Sequence, residues 1–211
     1  MSASGGSFIT VEGGEGCGKS TLIKGLLAAL QAEGRSVITT REPGGTPLAE
    51  SVRALVLSPP DGDAWTPLAE ALLMNAARSD HVEKKIRPAL ERGDWVLCDR
   101  FSDSTLVYQG VGGVSRDILF AMQSEVTARA RPDMTFILDA APEAMLSRRT
   151  ARGTSDAFER RPIEFHKKVR EAFLDIARND PGRCVVLNAE LAPEALVDAA
   201  LKAVRERLVP A

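Results

Sequence analysis

Nine consecutive residues near the start of the chain, Gly13-Gly14-Glu15-Gly16-Cys17-Gly18-Lys19-Ser20-Thr21, restrict its fold more than any other stretch. Gly13, four residues, Gly18, Lys19 and Ser20 fit the pattern G-x-x-x-x-G-K-[ST], a glycine-rich turn that wraps an anion. The flanks agree with that reading. Ser7-Phe8-Ile9-Thr10-Val11 is a short β-type run, and an amphipathic helical pattern begins at Lys19. Strand, loop and helix in this order aim several backbone N–H groups and the positive end of a helix at one phosphate cluster. The glycines permit backbone angles that other residues resist. Lys19 is expected to offer a charge to the β- and γ-phosphates of a nucleoside triphosphate, and Ser20 a hydroxyl to Mg²⁺.

Five β-rich runs, Phe8–Val11, Val37–Thr40, Trp95–Cys98, Thr135–Leu138 and Cys184–Leu187, alternate with longer helical patterns. This alternation predicts an α/β fold: a five-stranded parallel sheet with helices on both faces and ligands at the carboxyl ends of the strands. The first helix presents Leu22, Ile23, Leu26, Leu27 and Leu30 on one face, with Gly34 as its stop. Thr46-Pro47 and Thr66-Pro67 each read as an N-cap followed by proline at the first helical position. The second opens a long helix running toward Gly93, which Pro88 either kinks or ends early. Pro193 to Leu208 closes the chain as an amphipathic helix. The 211 residues are read as one domain, with residues 1–6 a disordered tail that lacks the basic and apolar regions of a signal peptide.

A formal net charge of −2 argues against a protein that coats nucleic acid, so anion binding must be local. No uncharged run is long enough to cross a bilayer, and a membrane partner is not expected. Cys17, Cys98 and Cys184 are too widely spaced for a metal or disulfide framework, which suits a reducing, cytoplasmic compartment. Cys98 and Cys184 read as core residues, and Cys17 as a small side chain within the loop.

Two further segments carry chemistry. The run Trp95-Val96-Leu97-Cys98 delivers Asp99-Arg100-Phe101 to its carboxyl end, beside the glycine loop. Asp99 suits Mg²⁺ or its waters, and Arg100 can bind phosphate bidentately; an ion pair between the two is the competing reading. After the second strand comes Thr40-Arg41-Glu42-Pro43-Gly44-Gly45, where Arg41 either touches an anionic substrate or pairs with Glu42. From Arg148 to Arg170 eight basic residues (Arg148, Arg149, Arg152, Arg160, Arg161, Lys167, Lys168, Arg170) face three acids (Asp156, Glu159, Glu164). Gly153-Thr154-Ser155 interrupts them, so a short mobile lid at roughly 149–161 is expected to bring arginines over a transferring phosphoryl group. Lys167 and Lys168 read as a solvated helix face.

Together these motifs resemble the bacterial thymidylate kinase family over nearly the whole chain. The matching segments are Val11–Thr21, TREPGGT at Thr40–Thr46, AAR at Ala76–Arg78, DRFSDSTLVYQG at Asp99–Gly110, RPD at Arg131–Asp133, LD at Leu138–Asp139, and RGTSDAFE at Arg152–Glu159. The resemblance implies a nucleoside monophosphate kinase fold, ATP and Mg²⁺ as cofactors, dTMP as acceptor, and a homodimer formed through helices. It implies that Gly13, Gly14, Glu15, Gly16, Cys17, Gly18, Lys19, Ser20 and Thr21 hold ATP, with Ser20 and Asp99 at the metal. Glu15 would face the sugar 3′-hydroxyl, Arg78 the thymine edge with Thr105 nearby, and Arg100 the acceptor phosphate. Tyr108 would pack beneath the deoxyribose where a 2′-hydroxyl would collide, and Gln109 joins the same set. The acceptor is a phosphate monoester with a second pKa of about 6, largely dianionic at neutral pH, so no general base is needed. His81 and His166 stand outside every motif.

Two departures from the family pattern stand out. The glycine loop lacks an arginine, which points to the type whose catalytic arginine comes from the lid; yet Ala157 occupies the expected arginine position. Arg152 is then the first candidate and Arg160 the second, with Arg149 and Arg161 behind them, so that Lys19, Asp99, Arg100, Arg152 and Arg160 form the expected catalytic set. Met74 stands where the family places a phenylalanine against the base; at i, i+4 from Arg78 it shares that residue's helix face. Competing readings are a dUMP or CMP kinase of the same fold, or a nucleotide-switched binding protein. The second wants N-K-x-D and D-x-x-G segments, and neither is found.

Overall fold

A computed structural model describes residues 5–60, 63–145, 158 and 160–209. Five strands, β1 (Phe8–Gly13), β2 (Val37–Arg41), β3 (Trp95–Asp99), β4 (Met134–Asp139) and β5 (Cys184–Asn188), form one sheet in the order β2-β3-β1-β4-β5, every pair parallel. Each expected strand is present, extended by one or two residues at an end. The order reverses direction on either side of β1, which opens a crevice at the carboxyl ends of β1 and β3. Register places Asp99 level with Val11 and Arg41, and Gly13 level with Leu138.

Side-chain alternation along the strands sorts the two faces. Ile9 and Val11, Trp95 and Leu97, and Met134, Phe136 and Leu138 point to one face. There they meet Leu22, Leu26 and Leu30 of α1 (Lys19–Ala32) and Leu196, Ala200 and Val204 of the final helix (Pro193–Leu208). Burying each of these leucines stabilises the fold by roughly 1.5–3 kcal/mol. The opposite face carries Phe8, Val96, Cys98 and Ile137, covered by Phe101, Val107, Ile86, Val169 and Phe173. Thr10 and Thr135, both fully buried on neighbouring strands, satisfy one another through a 2.7 Å hydroxyl pair. Cys98 and Cys184 are buried as expected. Burial pushes both thiols upward, Cys184 to about 12.

Thr46 and Thr66 cap α2 (Pro47–Leu57) and α3 (Pro67–His81), each hydroxyl accepting from the N–H three residues on. Pro88 neither ends nor simply kinks the long helix. The chain passes from α3 through a π turn at Val82–Ile86, where the Arg87 N–H reaches the Val82 carbonyl, into α4 (Arg87–Glu91). The wider turn lies immediately ahead of a ring that cannot donate and would crowd the carbonyl four residues back. Then come α5 (Ser102–Val111), α6 (Arg116–Thr127), α7 (Ile163–Asn179) and α8, the final helix. Gly6 lies against the Asp94 carbonyl, where an added Cβ would come within 1.9 Å. Among the described residues no helix is long and apolar enough to cross a membrane.

Candidate active site

β1 ends at Gly13, whose φ of 135° turns the chain away beneath the Leu138 carbonyl; a Cβ there would approach that oxygen to 2.7 Å. The loop curls through Gly16 and Gly18, both at positive φ, and α1 begins at Lys19. Lys19 Nζ folds back over the loop and donates to the carbonyls of Gly14 (2.8 Å) and Gly13 (3.2 Å). The Cys17 thiol donates to the Gly14 carbonyl at 3.0 Å and is buried. Gly14, Glu15, Gly16 and Thr21 complete the loop and first turn that the sequence assigned to phosphate.

β3 brings Asp99 and Arg100 to the same place, and they do not pair with each other. Ser20 Oγ donates to Asp99 Oδ2 at 3.0 Å. Arg100 donates through Nη1 to the Gly13 carbonyl (2.9 Å) and Ser104 Oγ (3.1 Å), and through Nη2 to Glu15 Oε1 (2.7 Å). Its φ of 67° is left-handed, unusual for a residue with a Cβ and a mark of a backbone held by its surroundings. The guanidinium lies 5.2 Å from the Tyr108 ring centroid, and Tyr108 Oη donates to the same Glu15 oxygen at 3.0 Å.

The electrostatics follow from these contacts. Burial works against the Glu15 carboxylate, but Arg100, Lys19 and the Tyr108 hydroxyl outweigh it and hold its pKa near 2. Burial likewise opposes the Arg100 cation, yet Glu15 beside it raises its pKa well above the ordinary value. Burial pushes the Tyr108 phenol upward, so it remains a donor. Behind them lies Glu12, fully buried on β1, which accepts from the N–H of Phe101 (2.7 Å) and the hydroxyl of Ser104 (2.6 Å) at the start of α5. Burial and the nearby Asp103 push Glu12 up to about 7. Sequence reasoning passed over Glu12, although an acid inside an apolar strand is the signal that marks it.

Arg78 on α3 is buried and donates to Glu42 Oε2 (2.7 Å), Thr105 Oγ1 (2.9 Å), the Phe101 carbonyl (3.2 Å) and Asn75 Oδ1 (3.3 Å). Glu42 is therefore taken by Arg78, and Arg41 pairs instead with Glu50 at 3.0 Å on the rim of the cleft. His81, left outside every motif by the sequence, bonds the other Glu42 oxygen at 2.9 Å. Gln109 donates to Glu70 Oε2 (3.1 Å), and Arg161 reaches the same carboxylate (3.0 Å) from between the rings of Phe158 and Phe165. Arg161 is thus held against Glu70 and two aromatic rings. Arg170 grips Asp139 (2.6 and 2.9 Å), and Lys167 lies exposed against Glu143 and Glu164. Arg160 is an exposed turn residue. Arg148, Arg149, Arg152, Asp156, Ala157 and Glu159 lie outside the described residues.

One cavity of about 590 Å³ gathers Glu15, Lys19, Ser20, Asp99, Arg100, Arg78, Met74, Thr105, Tyr108 and Gln109. Arg53, whose Nη1 donates to the Pro43 carbonyl at 3.1 Å, also lines it, as do Arg41 and Phe158; the sequence reading missed Arg53 and Phe158. The cavity holds the glycine-rich loop at one end and a pocket of arginines, an aromatic ring and a thioether at the other.

A family model described as thymidylate kinase matches residues 11–200. The chain belongs to the thymidylate kinase family. It is 51% identical to the thymidylate kinase of Bradyrhizobium sp. (strain BTAi1), over 98% of this chain and 92% of that one. To the thymidylate kinase of Caulobacter vibrioides it is 47% identical, over 96% of this chain and 98% of the relative. The crystal structure of thymidylate kinase from Ehrlichia chaffeensis superposes with a TM-score of 0.77 at 34% identity, covering 95% of this chain and 99% of that one. The five-stranded α/β fold read from the sequence is the fold of that family member.

The residues fit a magnesium ion. Ser20 Oγ and Asp99 Oδ2 are two hard oxygen atoms 3.0 Å apart at the cavity wall. Mg²⁺ takes such oxygens from one or two side chains and completes its shell with water and phosphate oxygens. Among the described residues no group of three or more His, Cys, Asp or Glu offers a richer cation site.

Proposed function

We propose that this chain transfers the γ-phosphoryl group of ATP to dTMP, giving dTDP and ADP. The observation that carries the reading is the single cavity in which the glycine loop, Ser20 and Asp99 face Arg100, Arg78 and Tyr108. ATP binds along the loop from Gly13 to Thr21, where backbone N–H groups and the start of α1 favour its phosphates. Lys19 exchanges the Gly13 and Gly14 carbonyls for phosphate oxygens. Ser20 and Asp99 would hold Mg²⁺, which when bound would neutralise phosphate charge.

At the other end Arg100 binds the acceptor phosphate with its planar fork, while Glu15 and Tyr108 keep that fork turned toward the loop. Arg78 and Thr105 read the thymine edge, Met74 lies against the ring, and Tyr108 and Gln109 close the sugar side. Arg53 lies on the rim, where its charge favours an anionic acceptor. No side chain needs to remove a proton, because the acceptor is already a dianion. Catalysis consists of bringing two repelling anions into line and neutralising them, to which Arg152, with Arg160 second, adds a guanidinium from the lid.

Exposed Leu48 on α2, Leu68 and Leu72 on α3, and Ile118 and Phe120 on α6 form apolar faces on helices that pack on one another. They suit a second copy of this chain, as the family resemblance implies, in a cytoplasmic setting. A coupled assay with ATP, Mg²⁺ and dTMP tests the activity, with AMP, CMP and dUMP as acceptor controls. ADP release that depends on dTMP supports it; ADP release indifferent to the acceptor overturns it. Mass measurement in solution tests the dimer.

A further inference from the structure

A buried line of polar contacts runs from β2 to the cavity through a residue that no motif contains. His81, at the end of α3, has no exposed surface. Its Nδ1 lies 2.9 Å from Glu42 Oε1 and its Nε2 lies 2.7 Å from Thr40 Oγ1. A carboxylate only accepts, so Nδ1 carries a proton and donates. The second Glu42 oxygen, Oε2, accepts from Arg78 Nε at 2.7 Å. Glu42 therefore holds His81 with one oxygen and Arg78 with the other, and cannot rotate without losing one of them.

The surroundings leave little slack. Gly45, at φ 91°, is laid directly on the imidazole: a Cβ there would come within 2.5 Å of Nε2. Thr46 Oγ1, next along, donates to Asp80 at 2.5 Å. The segment from Thr40 to Thr46 is thus clamped to the end of α3, the same helix that carries Arg78 and Met74. A buried imidazole needs partners for both of its nitrogens. This one has both nitrogens within hydrogen-bond distance of polar side chains from β2 and the loop that follows it.

We infer that His81 is a positioning residue for acceptor recognition: by holding Glu42 it sets the Arg78 guanidinium at the angle the thymine edge requires. The inference rests on the assignment of Arg78 to the base made above. His81 does not line the cavity and acts through Glu42.

Three substitutions in the full chain separate this role from packing. In His81→Asn the amide nitrogen falls near the place of Nδ1 and keeps the bond to Glu42, while the contact to Thr40 is lost. His81→Gln reaches the place of Nε2 and keeps Thr40 instead, and His81→Leu keeps neither. KM for dTMP, KM for ATP and kcat are measured for each, with thermal unfolding as the check on folding. His81→Asn is expected to keep the dTMP KM within about two-fold of wild type, and His81→Gln and His81→Leu to raise it about ten-fold, the effect of losing one charge-assisted hydrogen bond. The ATP KM stays within about two-fold throughout, since the loop contacts are untouched. The inference is overturned if Asn and Gln behave alike, if the two KM values rise together, or if both variants fail to fold. Arg78→Gln is the control. A raised dTMP KM in that control with unchanged His81 variants removes His81 alone, whereas an unchanged dTMP KM in Arg78→Gln removes the assignment of Arg78 and with it the inference.

Discussion

Arg100 and Glu15, eighty-five positions apart, meet at 2.7 Å across the mouth of the glycine-rich loop. The pair is mostly buried, with side-chain exposures of 14% and 17%. It ties the loop after β1 to the turn after β3. The left-handed backbone at Arg100 is held from both sides, its N–H by the Val11 carbonyl at 2.9 Å and its side chain by Gly13, Ser104 and Glu15.

Two carboxylates, Glu15 of this pair and Glu12 behind it, give stability opposite pH dependences. Glu15 falls from 4.5 to about 2, so the native state binds fewer protons than the unfolded one between those values. Its contribution is present above about pH 4.5 and disappears as pH drops toward 2. Glu12 rises from 4.5 to about 7, so the native state binds more protons there, and stability declines as pH climbs through that window. Urea unfolding between pH 5 and 7 is expected to show the decline in wild type and a flatter profile in Glu12→Gln. Parallel profiles for the two would refute the assignment.

Ser20→Ala removes one of the two oxygens assigned to magnesium and leaves the loop glycines in place. The Mg²⁺ concentration for half-maximal turnover is expected to rise about ten-fold, with little change in melting temperature because Ser20 is exposed. A magnesium titration of both proteins checks it, and overlapping curves would take Ser20 out of the metal site.

Arg152→Ala is expected to lower kcat at least ~10-fold while the KM values for ATP and dTMP change little, as for a cation acting on the transferring group. Arg160→Ala should have the smaller effect. Single-turnover rates for the two variants order them, and an Arg152→Ala enzyme with wild-type kcat would remove that residue from the reaction.

Met74 faces the cavity beside Arg78. A thioether against a ring contributes about 0.3–1.5 kcal/mol but fixes the ring plane less firmly than a stacked phenyl group. Met74→Phe is therefore expected to widen the preference for dTMP over dUMP by a few-fold. Equal kcat/KM ratios in both proteins would show that Met74 does not set base selectivity.

Legibility differed residue by residue for a physical reason. Thr46-Pro47 and Thr66-Pro67 act over a single helical turn, and both caps were readable and are present. Pro88 was readable as a disturbance, whereas the π turn that absorbs it depends on how the helix packs on Val96 and Phe101. Arg41 was left with two readings, and neither its Glu50 partner nor the Arg78 and His81 bonds to Glu42 could be chosen from spacing.

Sequence alone determined the glycine-rich loop, the strands and the caps, because each is encoded in residues within a turn or two of one another, and the family, because several such local segments recur together. Tertiary structure decided which charges meet: Glu42 with Arg78 and His81, Glu12 with the start of α5, Glu70 with Arg161 and Gln109. Those partners lie 36 to 92 positions apart. A buried carboxylate must find a donor wherever strand order and helix packing bring one within about 3 Å, and no local pattern records which donor that is.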